Sequence, residues 1–144
     1  MGEVLFKQYI QLQGFTDQKW LVASAGCWAR PDHPATQNAI LTAETFGCNL
    51  WLHSSQAVVE TLLKKFNLVL CMENEHKEFI RRNFPKAATK TYLFSNMIAE
   101  EFNIDDPVNG TIETYAGTAQ KLRLIMESGF QKIQKLSAGQ IVSD

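Results

Sequence analysis

Asn67-Leu68-Val69-Leu70-Cys71-Met72 is a continuous apolar run of strand length, set between two stretches of helical periodicity. A run without polar alternation suits a parallel strand covered on both faces. Before it, Ser55 to Lys65 places Val58, Val59, Leu62 and Leu63 on one helical face, with Ser54 or Ser55 available as an N-cap. After it, Glu75 to Phe84 is helical and Pro85 stands just beyond. Strands alternating with helices point to a parallel sheet, because parallel neighbours need a crossover connection.

The rest of the chain continues the alternation. Glu3 to Gln13 has a helical apolar face and stops at Gly14; Ala35 to Phe46 does the same and stops at Gly47. Trp20 to Ser24 and Lys90 to Phe94 read as two further short strands, and Thr111 to Leu136 as a last long helix. The expected architecture is three-layer α/β/α with a parallel sheet. A length of 144 residues fits one domain, taken as 1–136, with 137–144 as a tail. In such folds ligands bind beyond the carboxyl ends of the strands. Those ends are Ser24-Ala25-Gly26, Cys71-Met72-Glu73 and the stretch leading to Asp106. A chain of this class ordinarily opens with a strand; this one opens with a helix.

Composition removes several function classes. Fourteen Lys and Arg against fifteen Asp and Glu give a formal net charge of −1, and that near balance argues against a mainly electrostatic nucleic-acid binder, so no nucleic-acid partner is expected. No apolar run approaches the roughly 18 residues that cross a bilayer, so no membrane role is expected. The three cysteines are an odd number without a C-x-x-C pair, which suits a reducing, cytoplasmic setting and offers no zinc ribbon. Glycine-rich phosphate loops of the G-x-x-x-x-G-K type are absent.

Asp106-Pro107 is the sharpest local signal. A carboxylate ahead of a proline sits on extended, stiff chain and can be aimed as a general acid, although a solvated turn aspartate has the same appearance. His53 reads either as a histidine bonded to a loop hydroxyl near a site or as a polar residue flanking a helix. His33 and His76 have no partner spacing for a metal and suit the surface. Cys71 ends an apolar strand as an inert thiol. Cys27 follows Gly26 at a strand end, but Cys27-Trp28-Ala29-Arg30 is too short to wrap an oxyanion. Trp28 reads as the wall of a pocket or a lid over the core.

Taken in order, these pieces resemble the low-molecular-weight protein-tyrosine phosphatase family over about residues 1 to 133. The matching segments are Met1 to Phe6, Ser24-Ala25-Gly26, Leu50 to Gln56 around His53, Asn67 to Met72, Phe84-Pro85, and Asp106-Pro107 with Gly110 and Tyr115 following. The Asn67 to Lys77 stretch and the short Asp106-to-Gly110 loop are most similar to the bacterial branch, which includes protein-arginine phosphatases. The resemblance implies a two-step hydrolysis of phosphomonoesters without metal or cofactor. A thiolate in a C-x-x-x-x-x-R loop attacks phosphorus, and an aspartate before proline protonates the leaving oxygen and then activates water. It implies that Asp106 is that acid and base, that Ser24 and His53 support the phosphate loop, and that Trp28 flanks the substrate. The implied partner is a phosphoprotein or a small phosphomonoester.

The resemblance stops short of the nucleophile, and it implies that a first strand, an inner one in this family's sheet, is missing too. In relatives the phosphate loop ends in C-R-S-P immediately before the methionine that matches Met1. Six residues after Cys27, Cys48 and Cys71 stand His33, Ser54 and Lys77, none of them arginine. Val108 also stands where many relatives carry an aromatic, and Ser54 where many carry arginine. Two expectations compete: a working phosphatase begun at an internal methionine, or a paralogue that binds phosphoproteins or partners without cleaving. Retained Asp106, Ser24 and His53 favour the first. The chain as it stands is expected to be inactive, and to be unstable or to self-associate through unpaired strands unless Trp20–Ser24 and Asn67–Met72 close up, whereas a binding paralogue is expected to be soluble and folded. An arsenate reductase of the same fold would need redox cysteines in arrangements that Cys27, Cys48 and Cys71 do not give.

Overall fold

A computed structural model describes residues 1–15 and 20–139 of the chain. The expected tail at 137–144 lies largely outside the described residues. The helices are α1 (Gly2–Leu12), α2 (Gln37–Thr45), α3 (Glu60–Leu63), α4 (Asn74–Asn83) and α5 (Ile112–Ser137). The strands are β1 (Val69–Cys71) and β2 (Thr91–Leu93), and short 3-10 helices occupy Pro85–Lys90 and Phe94–Ile98. The described chain resolves into two compact units. One comprises Met1–Ala57 with Pro107–Leu124; the other comprises Val58–Asp106 with the chain from Ile125 on.

The second unit holds the sheet. β1 and β2 pair in parallel, with Val69 opposite Thr91, Leu70 opposite Tyr92 and Cys71 opposite Leu93. α4 and the Pro85–Lys90 turn supply the crossover that parallel pairing requires. α4 forms where expected because its ends are specified. Glu75 lies in the first turn and Arg81 and Arg82 in the last, matching the helix dipole. Its first N–H, on Asn74, donates to the Asn103 side chain at 2.9 Å. Pro85 then disfavours helical geometry at Phe84, which sits at φ −132°.

The end of α3 depends on a long-range cap. Lys90 Nζ donates to the carbonyls of Leu63 at 2.8 Å and Phe66 at 2.5 Å. Leu63 is the last residue of α3, its carbonyl also accepting the Phe66 N–H at 3.3 Å, and Phe66 lies in the turn beyond, so the lysine ties the helix end to the chain that leaves it. Lys90→Met keeps the aliphatic stem and removes both bonds, so it is expected to cost about 1–2 kcal/mol in urea unfolding.

The first unit is helical. α1 and α2 end where the glycines predict: Gly14 at φ +81° and Gly47 at φ +73° take the left-handed geometry that closes a helix. Gln8 Nε2 of α1 donates to the Phe46 carbonyl at the end of α2, 2.7 Å away. The Arg123 guanidinium of α5 lies over the Phe46 ring, 5.5 Å from its centroid. Leu5, Ala43, Leu50 and Ala119 are each buried to within about one per cent.

Three expectations need correction. Trp20 to Ser24 is not a strand; the one bridge nearby is an isolated parallel one two residues on, Gly26 with Ala57, among the described residues. Side chains take the ladder's place there: Ser24 N–H donates to the Glu3 carboxylate and the Ser24 carbonyl accepts from Gln56 Nε2. Leu21 in this stretch is 65% exposed. The helix expected over Ser55 to Lys65 is reduced to Glu60–Leu63. Ser55 is no cap: its hydroxyl donates to the Arg30 carbonyl at 2.6 Å and accepts the His33 N–H at 3.0 Å. These contacts hold the chain extended, and Asp32 N–H donates to the Ser55 carbonyl. Finally, β1 is not fully covered, since Val69 and Leu70 are half-buried and only Cys71 is buried.

Candidate active site

Asp106 follows the carboxyl end of β1. Ile104 N–H donates to the carbonyl of Met72, the residue after β1, at 2.8 Å, and Ile104 is 2% exposed. The approach to it is tied down by Ser95, whose hydroxyl donates to the Phe102 carbonyl at 2.8 Å and accepts the Phe102 N–H at 3.1 Å. Two residues beyond the buried anchor, Asp106 is exposed. An apolar anchor followed at once by an exposed carboxylate is what a side chain needs if it is to meet solvent and substrate from a fixed base.

Ser24, Trp28 and His53 belong to the first unit. The Ser24 hydroxyl donates to Glu3 Oε2 at 2.6 Å, and its N–H donates to the same oxygen at 2.9 Å. Gln56 closes the cluster by donating to the Ser24 carbonyl at 2.9 Å, and Gly26 N–H donates to the Gln56 carbonyl at 3.0 Å. His53 is half-buried; its N–H turns back onto the Leu50 carbonyl at 3.0 Å. Trp28 is 60% exposed. The structure therefore brings Ser24 together with Glu3 and Gln56, two residues that sequence periodicity did not single out. Glu3 reads as an ordinary first-turn acid. Its reach to Ser24, 21 residues away, is set by tertiary structure and leaves no trace in spacing.

Glu3 also carries a pH signature. Burial works to raise its carboxyl, but hydrogen bonds from Lys7 and Ser24 and the Lys7 charge outweigh that, leaving it below its ordinary value of 4.5. Lys7 Nζ lies 2.6 Å from Glu3 Oε1, in the favourable order for an i,i+4 pair. A carboxyl lowered on folding contributes stability that is complete above the unfolded value and lost as pH falls through the folded one. Glu3→Gln is expected to cost about 1–2 kcal/mol near neutral pH, and progressively less below about pH 4, in urea titrations of both chains.

The cysteines occupy different settings. Cys48 is buried and burial pushes its thiol up; Sγ is 3.6 Å from the Val4 carbonyl. Cys71 is buried in β1, and Cys27 is half-buried. No helix among the described residues is long and apolar enough to cross a membrane.

The class is an α/β protein with a parallel sheet and an aspartate-proline pair beyond a strand end. The family follows from comparison with known proteins. A family model described as low molecular weight phosphotyrosine protein phosphatase matches residues 1–138, and the chain belongs to that family. A putative low molecular weight protein-tyrosine-phosphatase of Klebsiella pneumoniae is 34% identical over 117 residues, 81% of this chain and 78% of that protein. The protein-arginine-phosphatase of Bacillus subtilis is 28% identical over 138 residues, 94% of this chain and 88% of the relative. Among solved structures, YwlE arginine phosphatase with a phosphorylated active-site serine superposes with a TM-score of 0.85 at 27% identity. That match covers 93% of this chain and 86% of the other. The α/β expectation and the family resemblance are both borne out.

Proposed function

We propose that this chain serves the hydrolysis of phosphomonoesters on proteins, with Asp106 as general acid and base. Seating of Ile104 on the Met72 carbonyl carries the reading, because it sets Asp106 on a buried anchor just past the carboxyl end of a parallel strand. In the first step a thiolate attacks phosphorus, an S–P bond forms, the P–O bond breaks and the Asp106 carboxylic acid gives its proton to the leaving oxygen. In the second, the Asp106 carboxylate takes a proton from water, water oxygen bonds to phosphorus and the thiolate leaves. Ser24, held by Glu3, and His53 support the phosphate loop, and Trp28 flanks the substrate. Residues 1–136 act as one phosphatase-like domain, and three unbridged cysteines fit a reducing, cytoplasmic setting.

The thiolate and its arginine have no counterpart in these 144 residues, since none of the three cysteines has arginine six places on. The polypeptide of these residues alone is therefore inactive. The test compares it with the same chain extended at its N-terminus by a relative's first strand and C-x-x-x-x-x-R-S-P loop. Hydrolysis of p-nitrophenyl phosphate only in the extended chain supports the reading. A folded extended chain that binds a phosphopeptide yet releases no phosphate favours a non-catalytic binding role instead.

A further inference from the structure

Asp106 is joined directly to a turn that a second helix holds. Gly110 N–H donates to the Pro107 carbonyl at 2.8 Å, closing residues 107 to 110 into a tight turn, with Asn109 in the left-handed region at φ +65°. A Cβ on Gly110 would stand 2.8 Å from the Pro107 oxygen and 3.0 Å from Thr114 Cβ, so the turn closes with no room to spare. Its outer carbonyl, on Gly110, accepts a hydrogen bond from Asn38 Nδ2 at 3.1 Å. Asn38 is half-buried in the first turn of α2. Beside it, the α2 N-cap Thr36 shares a 2.9 Å hydrogen bond with the hydroxyl of Tyr115, which is 5% exposed at the start of α5.

We propose that Asn38 is a positioning residue for Asp106: its amide fixes the Pro107–Gly110 turn, and the turn fixes the acid. The coupling is short. Proline holds its own φ and biases the residue before it toward extended backbone, so once Pro107 is fixed Asp106 has little backbone freedom left. Releasing the Gly110 carbonyl frees the turn to shift as a unit, and displacement of about 1 Å at a reacting group costs on the order of 10²-fold in rate. Sequence spacing gives no hint of the contact, since 72 residues separate Asn38 from Gly110.

The inference rests on Asp106 being the general acid, and the experiment separates the two. In the extended chain, kcat/KM is measured for phenyl phosphate, whose leaving group needs a proton, and for 2,4-dinitrophenyl phosphate, whose leaving group does not. Asp106→Asn should depress the first far more than the second; equal effects would remove the acid assignment and this inference with it. Given that selectivity, Asn38→Ala is expected to lower kcat/KM for phenyl phosphate about tenfold or more and for the dinitrophenyl ester less than about twofold. Asn38→Asp, which keeps the shape but loses the donor, should behave alike. Equal loss on both esters marks a structural role only, and no loss on either overturns the proposal. A second readout uses the 144-residue chain itself. Asn38→Ala should speed hydrogen exchange at the Gly110 amide about tenfold while the Ile104 amide is unchanged, and an unchanged Gly110 amide also overturns it.

Discussion

Asp106→Asn, introduced into the chain extended by a phosphate loop, is expected to lower kcat/KM for phenyl phosphate by about 10²–10⁴-fold, the usual worth of a positioned general acid. Asparagine keeps the size of the side chain and loses its charge and its transferable proton. Asp106 lies exposed, so a thermal melt beside the kinetics separates a loss of proton transfer from a loss of fold. On the proposed reading the same change in the 144-residue polypeptide should not alter phosphate release, since none of its three cysteines has arginine six places on. Steady-state kinetics on a series of aryl phosphates checks this: the loss should grow with the basicity of the leaving phenol. A loss independent of leaving group would assign Asp106 to binding rather than to proton transfer.

The elements that were legible in the sequence are those whose cause is local. β1 is visible because an unbroken apolar run of that length suits a covered strand, and β2 as a short run of strand composition after a helix that Pro85 ends. α1, α2 and α4 were visible because glycine and proline end them. Trp20 to Ser24 misled because strand identity belongs to a pair. The run has strand composition, but its Ser24 backbone is claimed by the Glu3 and Gln56 side chains. Ser55 to Val59 misled for a related reason: Val58 and Val59 have helical spacing with Leu62 and Leu63, yet Ser55 is held by Arg30 and His33 from a loop more than twenty residues earlier. In the site, Asp106 announced itself through the proline that follows it. Asn38 and Gln56 reach distant carbonyls, and Glu3 takes both the hydroxyl and the N–H of Ser24, 21 residues away; any polar residue with the right reach would read the same in sequence.

Gly129→Ala and Gly117→Ala place the same methyl group on the same helix and should have opposite effects. Both glycines lie inside α5, where alanine is intrinsically better by about 1 kcal/mol. At Gly117 an added Cβ meets nothing within 4 Å, so the helix preference should appear almost undiluted as a gain approaching 1 kcal/mol. At Gly129 the added Cβ would stand 2.7 Å from Met97 Cβ, 2.9 Å from the Met97 carbonyl oxygen and 3.0 Å from its carbonyl carbon. Two of those three atoms are backbone, in a 3-10 turn (Phe94–Ile98) where Met97 is 3% exposed, so no side-chain rotation relieves the clash. The helix has to move away from that turn, with loss of packing around buried Met126, Phe130 and Ile133. Gly129→Ala is expected to cost about 3 kcal/mol net, overpacking at the upper end of its usual range overriding propensity. Urea unfolding of the two variants beside the parent measures the pair. A Gly129→Ala midpoint at or above the parent's would mean that α5 does not approach Met97 this closely.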